Sequence, residues 1–421
     1  MSQSQPEDSP EAPRPPLRGD PYAALRFPDF RRFLAGNFLS SIGVQMQTVA
    51  VGWYLYERTD SALALGGVGL AQVLPIFLLT LPAGHLADRF DRKRLLVAAL
   101  GLGVLNSIGL AWLSAVNGAV ALLYLFLVLN GVARAFIAPA RDSLGPQLLP
   151  LELLGNGATW RSGSFQLASV LGPSFGGLVI GLRHSATPAF IGTATSLALF
   201  AVLIAGVTPR RYLPARGGTP MEIFAGGVRF IWRTRILLAT ITLDLFAVLL
   251  GGATMLLPVF AKDILHVGPR SLGWMMAAPS VGAVLVALVL ARHPLQRAGR
   301  ALLWAVAGFG AATVAFGLSR SYVLSLALLA AIGGLDMVSV VVRSTLMQVL
   351  TPDDLRGRVG AINALFIGTS NELGGFESGT TAALFGPVAS VVGGGIGSIL
   401  VVLAVAKIWP EVGRYGRLEA G

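Results

Sequence analysis

The sequence contains no cysteine among its 421 residues, and it contains only four histidines. Without cysteine the chain cannot form a disulfide bond, a thiol nucleophile or a thiolate metal site. The histidines, which are His85, His184, His266 and His293, do not have the ligand spacings of zinc motifs. We therefore expect neither a metal site nor a thiol enzyme.

A nucleotide-binding loop is also missing. The phosphate loop requires a glycine followed directly by a lysine, and this pair does not occur in the chain. The chain is therefore not expected to hydrolyse ATP. We expect no bound cofactor and no enzymatic activity.

Charged residues are scarce, because they make up 13% of the chain against 54% hydrophobic residues, and the mean hydropathy is +0.70. A soluble protein of this composition would lack polar surface. Apolar runs of about 20 residues cross a bilayer as helices, so we predict an all-α membrane protein with twelve transmembrane helices. The runs lie at about 33–56, 62–86, 95–116, 119–140, 158–182, 188–208, 236–261, 271–291, 301–319, 322–350, 359–385 and 387–409.

The net charge of +11 has a topological meaning. Of 32 Lys and Arg residues, 24 lie in segments predicted on one face of the membrane and five lie on the other face. This asymmetry follows the positive-inside rule, so both termini are expected in the cytoplasm of a bacterial cell, at its inner membrane. No nucleic-acid partner is implied.

Polar segments divide the chain into domains. Residues 1–32 are rich in proline and lack apolar periodicity, so we expect a disordered cytoplasmic tail. A linker at 209–235 separates a bundle at 33–208 from a second bundle at 236–409, and 410–421 forms a cytoplasmic C-terminal tail. Within the linker, Met221 to Trp232 is either a short amphipathic surface helix or a solvated connection.

The two bundles are repeats of one another. At a constant offset of 202 residues, Arg141-Asp-Ser-Leu144 aligns with Arg343-Ser-Thr-Leu346, and Gly172 and Gly177 align with Gly374 and Gly379. Six helices and then six more in parallel orientation predict a pseudo-twofold axis along the membrane normal. Such a pair of bundles encloses a cleft between its halves, which is a route across the membrane.

A cluster of charge joins the second and third apolar runs. Gly84, Asp88, Arg89, Arg92 and Lys93 stand in the order Gly, three residues, Asp, Arg, two residues, and then two basic residues. With this loop and the six-plus-six repeat, the chain resembles transporters of the major facilitator superfamily. Asp91 stands where that family usually has glycine, so the turn of the loop departs from the pattern. A purely topogenic positive patch is the alternative interpretation, although orientation alone would need no Asp88.

A second motif lies in the fifth run, at Gly172-Pro173-Ser-Phe-Gly176-Gly177. Small residues let membrane helices approach closely, so helix packing alone could account for the motif. This motif also resembles the antiporter signature of the superfamily, and that resemblance implies efflux. A third signature is missing, because Leu127 occupies the place of its arginine. Pro139-Ala-Arg-Asp142 and Leu355-Arg-Gly-Arg358 resemble enterobactin-exporter-like efflux proteins.

The resemblance implies a latch on the cytoplasmic side that closes when the cleft opens outward. Asp88 would face the start of the eleventh helix, where the helix dipole is positive. Arg92 would face Asp142. The resemblance also implies a small-molecule substrate and a monomeric protein in the lipid bilayer.

Four acids lie inside apolar runs, namely Asp244, Asp336, Glu372 and Glu377. A charge at the bilayer centre costs about 2.5–3.5 kcal/mol on insertion scales, so these side chains need partners or a watery cleft. We predict that Glu372 carries coupled protons, with Asp244 as the reserve candidate and Asp336 as a further one. Glu377 is a candidate for the cleft or the substrate site, or is merely interfacial.

Other polar groups in the runs are candidates for the cleft. Gln45 and Gln47 either contact substrate or connect helices by hydrogen bonds. Because Arg134 aligns with Asp336 at the offset of 202, the two could attract one another across the cleft. In the alternative, Arg134 pairs with Asp142 or a lipid phosphate, and Asp336 pairs with Arg343.

These residues favour proton-coupled efflux of an amphipathic organic compound, a drug or a siderophore-like metabolite, by alternating access. The alternatives are a non-transporting sensor or accessory protein on the same scaffold, and an importer. Four acids against three arginines within the runs favour cationic or neutral substrates.

Overall fold

The structure, a computed structural model, describes residues 20–209, 220–293, 295–352 and 355–416. Within these ranges the chain is helical and has no strand. We label the long helices that alternate in direction across the molecule α1 to α12. They are α1 Pro28–Thr59, α2 Ala62–Arg89, α3 Arg92–Ala115, α4 Val120–Gln147, α5 Leu154–Arg183, α6 Thr187–Ala205, α7 Arg235–Leu250 with irregular helical turns to Ile264, α8 Pro269–Arg292, α9 Ala298–Leu318, α10 Tyr322–Leu350, α11 Arg356–Phe385 and α12 Pro387–Ile408.

Ten of these helical segments, among the described residues, are long and apolar enough to cross a membrane. The other two, α1 and α11, have 32 and 30 residues and are more polar. They carry Gln45, Gln47, Glu372 and Glu377. The prediction of an all-α membrane protein is confirmed.

The N-terminal tail is shorter than expected. Pro28 occupies the first turn of α1, where a missing N–H group costs nothing, so the helix begins before residue 33. Ahead of it a short 3₁₀ turn, Ala23–Arg26, docks on α5. The Nε1–H of Trp160 and the Nδ2–H of Asn156 both donate to the carbonyl of Pro21 at 2.9 Å. The prediction of disorder is therefore wrong for residues 20–32, and residues 1–19 lie outside the described ranges.

The linker between the bundles contains a helix, Pro220–Arg233, rather than a solvated connection, and the place of this helix on the membrane surface stays a prediction. Its buried Ile231 packs with Ile241, Val359 and Ile362, which belong to α7 and α11. The helix is therefore attached to the C-terminal bundle. Residues 210–219 of the linker lie outside the described ranges.

The two bundles have equivalent packing, as the repeat predicts. In the first bundle α1 packs on α5 and α6, α2 on α4, and α3 on α4 and α6; in the second, α7 packs on α11 and α12, α8 on α10, and α9 on α10 and α12. The bundles meet through two further helix pairs, α5 with α8 and α2 with α11. These pairs are equivalent under the pseudo-twofold axis.

Glycine makes both of these contacts possible. A Cβ atom on Gly177 of α5 would lie 2.8 Å from the Cα of Gly273 of α8, and one on Gly66 of α2 would lie 3.0 Å from the Cα of Gly379 of α11. Only backbones that carry no side chain can approach this closely. All four glycines lie toward the face opposite the chain termini, which we call the outer face; the face that carries the termini is the inner face.

The bundles separate toward the inner face. On α5, Gly157 is the only buried residue before Ala168, and on α8 burial ends at Ala283. A Cβ atom on Gly163 of α5 or on Gly368 of α11 would meet no described atom within 4 Å. The space between the bundles is therefore a cleft that opens to the inner face and is closed at the outer face.

Polar contacts reinforce the outer closure. Lys262, at the outer end of α7, forms an ion pair with Asp60, which follows α1. Its ammonium also lies 5.4 Å from the ring centre of Tyr56, whose hydroxyl hydrogen-bonds to Asp263. Because α1 and α7 belong to different bundles, the outer face cannot open without breaking these contacts.

The closed outer face can be tested by crosslinking, since the chain has no native cysteine. A Cβ atom on Gly181 would lie 3.4 Å from the Cβ of Arg270 in the other bundle, close to the separation of about 3.8 Å in disulfides. We expect the Gly181→Cys/Arg270→Cys double variant to form a disulfide in mild oxidant, measured as loss of maleimide labelling. Each single variant should remain labelled. Full labelling of the oxidised double variant would contradict the closed outer face.

Candidate transport site

The centre of the cleft contains an ion pair between the two bundles. The Nη1 of Arg134, on α4, lies 3.1 Å from the Oε1 of Glu372, on α11. The same nitrogen donates to the Oε1 of Gln72, on α2, at 2.6 Å. The guanidinium of the N-terminal bundle therefore connects to the acid of the C-terminal bundle beside a neutral amide.

The pair lies deep in the membrane. Arg134 is 14 residues from the outer end of α4 and Glu372 is 13 residues from the outer end of α11, which corresponds to depths of about 21 and 20 Å. It also lies at the inner limit of the outer closure, because a Cβ atom on Gly69 would press on the backbone carbonyl of Glu372. The ion pair thus forms the floor of the cleft.

Arg134 is paired differently from both sequence-based hypotheses. Its partner is Glu372 rather than Asp336 or Asp142. The offset of 202 places Arg134 and Asp336 at symmetry-equivalent positions of the two bundles. Residues at equivalent positions need not be in contact. Because α2 packs on α11, a guanidinium that reaches past Gln72 meets α11.

The other acids near the middle of the second bundle form a separate group. Asp244 of α7 and Arg343 of α10 make an ion pair in which both side chains are less than a tenth exposed. Asp336 and Ser339 lie beside Asp244 around a cavity of about 10 Å³, which is room for about one water molecule. Arg343 therefore pairs with Asp244, and the alternative that paired it with Asp336 is wrong.

The remaining polar candidates divide between packing and the outer rim. Gln47 is buried and accepts a hydrogen bond of 2.9 Å from Ser107 of α3, so it connects helices. Gln45 is half-buried and packs its side chain against Gly172. Glu377 accepts a 3.4 Å bond from Ser378 and lies eight residues from the outer end of α11, about 12 Å deep.

The charged loop at the inner face is described in part. Asp91 caps α3, because its Oδ1 accepts from the backbone N–H groups of Lys93 and Arg94 at 2.9 and 3.1 Å. This explains the departure from the family pattern, since an acid at this position also opposes the positive helix end. The side chains of Asp88 and Arg89 lie outside what the structure describes. Their latch therefore stays a prediction.

Asp142 is engaged within its own bundle in this structure. Its Oδ1 lies 2.6 Å from the Nη2 of Arg161 and 3.1 Å from the Nε of Arg141. The cleft is open on this side, whereas the predicted pairing of Asp142 with Arg92 concerns the state that is closed there. That pairing stays a prediction.

The glycine motif of α5 serves two interfaces. Gly172 and Gly176 face α1, where added Cβ atoms would press on Gln45 and Met46. Gly177 faces α8, and a Cβ atom on Gly273 would lie only 2.5 Å from the carbonyl oxygen of Pro173. The motif therefore packs the first bundle internally and also joins it to the second.

Similarity to known proteins agrees with this geometry. A family model of the major facilitator superfamily, described as transmembrane secretion effector, matches residues 19–412. The chain belongs to this family. It is therefore a multi-pass membrane transporter of the major facilitator type for a small-molecule substrate.

Individual relatives and solved structures extend the comparison. The transporter is 26% identical over 398 residues to the enterobactin exporter EntS of Escherichia coli O1:K1, covering 92% of this chain and 93% of that protein. EntS of Shigella boydii serotype 18 is 26% identical over 397 residues, with the same coverage. A bacterial homologue of the iron transporter ferroportin in an inward-facing state superposes with a TM-score of 0.70 at 18% identity, covering 93% and 99% of the two chains. The nucleoside transporter NupG gives 0.69 at 13% identity, covering 90% and 99%.

Sequence reasoning missed several residues of this transporter. Gln72 is a polar residue within an apolar run, so the rule that singled out Gln45 could have found it. No comparable signal came from Tyr56, Asp60 and Lys262, because polar residues at helix ends are ordinary.

In the described part of the chain, His, Asp and Glu residues nowhere form a group of three or more suited to a metal ion.

The buried pair of Asp244 and Arg343 leads to a stability prediction. Removing one partner from a buried ion pair typically costs about 3–5 kcal/mol, because the other charge stays buried and unpaired. We expect Arg343→Met and Asp244→Asn each to lower the thermal unfolding midpoint in detergent strongly. The double variant should recover much of the loss.

An exposed pair supplies the control. Arg235 lies 3.5 Å from Glu411, and both side chains are largely exposed, so Arg235→Met should change the midpoint little. If the double variant is destabilised by the sum of the single effects, the two side chains do not act as a pair.

Proposed function

We propose that this transporter is a proton-coupled exporter of amphipathic organic compounds, drugs or siderophore-like metabolites, working by alternating access. It acts as a monomer in the bacterial inner membrane, with both termini in the cytoplasm and no nucleic-acid partner. The observation that carries the proposal is the cleft, which opens to the inner face and has the ion pair of Arg134 and Glu372 at its floor.

The glycine contacts support alternating access. Two symmetry-related helix pairs, α5 with α8 and α2 with α11, hold the outer halves of the bundles together. Rocking of one bundle on the other would separate these contacts and bring the inner halves together. The cleft would then face outward without a change in the internal packing of either bundle.

The ion pair supports proton coupling at Glu372. With the cleft open to the inside, Arg134 stabilises the ionised carboxylate. Opening the outer face draws α2 away from α11 and removes Arg134 from Glu372, and a carboxylate that has lost its cation in a low-dielectric site binds a proton. When the inward-open state returns, Arg134 favours release of this proton to the inside. Each cycle then exchanges one outward movement of substrate for one inward movement of a proton.

Two observations support export rather than import. The relatives named as enterobactin exporters and the glycine motif of α5 both point to efflux. An importer on the same scaffold remains the alternative. The basic inner loops support the orientation through the positive-inside rule.

Inverted membrane vesicles test the coupling. Fluorescein and rhodamine 6G, which share a xanthene core and differ in charge, serve as trial substrates, and a pH-sensitive dye reports proton movement. The dye that is transported should provoke proton release from wild-type vesicles. Glu372→Gln should abolish that release, because an amide side chain does not bind and release protons near neutral pH.

The control variant is Glu152→Gln, which removes an exposed acid from the inner loop before α5. It should behave as wild type. Undiminished proton release in Glu372→Gln would contradict the proposal, and its loss in Asp336→Asn or Asp244→Asn instead would move coupling to the C-terminal bundle. The direction of dye movement distinguishes export from import.

A further inference from the structure

The two members of the central ion pair differ in their access to the cleft. The side chain of Arg134 is 44% exposed, whereas that of Glu372 is 16% exposed. Helix α4 packs on α2 and α3, so the guanidinium extends past Gln72 of α2 to reach α11. A solute that enters from the inner face therefore meets the cation before the acid.

The guanidinium also has unused donors. In the described part of the chain, the hydrogen bonds of Arg134 to Gln72 and Glu372 both use Nη1. Nη2 and Nε remain, and together they form the planar fork that binds carboxylate, sulfonate or phosphate groups through two hydrogen bonds. Glu372 itself occupies one position that such a group would take.

Other charges do not compete for this place. Asp244 is paired with Arg343 inside the C-terminal bundle, and Asp142 is paired with Arg141 and Arg161. Of the acids that the structure describes, Glu372 alone contacts Arg134. The accessible charge at the floor of the cleft is therefore positive.

We infer that Arg134 is the anion-binding group of the cleft and that Glu372 is an internal competitor which the substrate's anionic group displaces. This inference rests on the proposed function and names its substrate class, amphipathic organic anions. It replaces the preference for cationic or neutral compounds, which followed from counting charges without their pairing.

Displacement also explains how substrate could start the cycle. When an anion takes over Arg134, the connection between α4 and α11 is lost, and Glu372 is left without its cation. The outer contact of α2 with α11 then has one fewer restraint, so the outer face can open and the acid can take up its proton from that side. Substrate binding and release of the outer closure become one event.

Binding of the two xanthene dyes to purified protein in detergent tests the inference without a proton gradient. At pH 8 fluorescein is anionic and rhodamine 6G is cationic, and fluorescence anisotropy reports the binding of each. We expect Arg134→Gln to weaken fluorescein binding by about tenfold or more, because the variant loses a charged hydrogen-bond donor to the anion. Glu372→Gln should tighten it, because the competitor is gone.

Matched controls remove charges elsewhere. Arg183→Gln, at the outer end of α5, and Glu152→Gln should leave fluorescein binding unchanged. Rhodamine 6G binding should not weaken in Arg134→Gln. An opposite effect of the two central variants cannot arise from simple misfolding, since misfolding would weaken both.

Three results would overturn the inference. They are equal fluorescein affinity in wild type and Arg134→Gln, weaker binding in Glu372→Gln, and absence of fluorescein binding in both wild type and Glu372→Gln. Strong binding and export of rhodamine 6G alone would leave the proposed exporter intact while excluding the anion site. Conversely, fluorescein binding with the expected variant effects but no export from vesicles would contradict the proposed function alone.

Discussion

A charge inside a membrane must be paired, and the arrangement of the pairs determines how this protein is built. Asp244 and Arg343 both belong to the second bundle and are almost fully buried, so their attraction fixes α7 against α10. Arg134 and Glu372 belong to different bundles and lie at the floor of an open cleft. The same physical requirement is met once by a contact within one bundle and once by a contact between the two bundles.

The glycine contacts are likewise divided between those within a bundle and those between the bundles. Gly172 and Gly176 hold α5 on α1 within a bundle, whereas Gly177 and Gly273 hold α5 on α8 between bundles. Contacts of this kind depend on close backbone packing rather than on interlocking side chains. At these contacts the two bundles therefore meet through backbone atoms rather than through interdigitated large residues.

The architecture followed from the sequence because its determinants are local or periodic. Apolar runs gave the helices, and the offset of 202 gave the equivalence of the bundles. The pairing of charges did not follow, because the symmetry that relates Arg134 to Asp336 says nothing of which helix lies nearest. The docked turn at Ala23–Arg26 was also missed, since the tail around it is rich in proline like a disordered segment and the contact of Ala24 with Asn156 is distant in sequence. Asp91 looked like a departure from a motif until its role as a helix cap was visible.

The contact of Gly69 with the backbone of Glu372 links packing to charge. The place where α2 touches α11 is also the place that bears the ionisable group. A change in the spacing of these two helices therefore moves the backbone of Glu372 directly, with no intervening side chain to absorb the displacement.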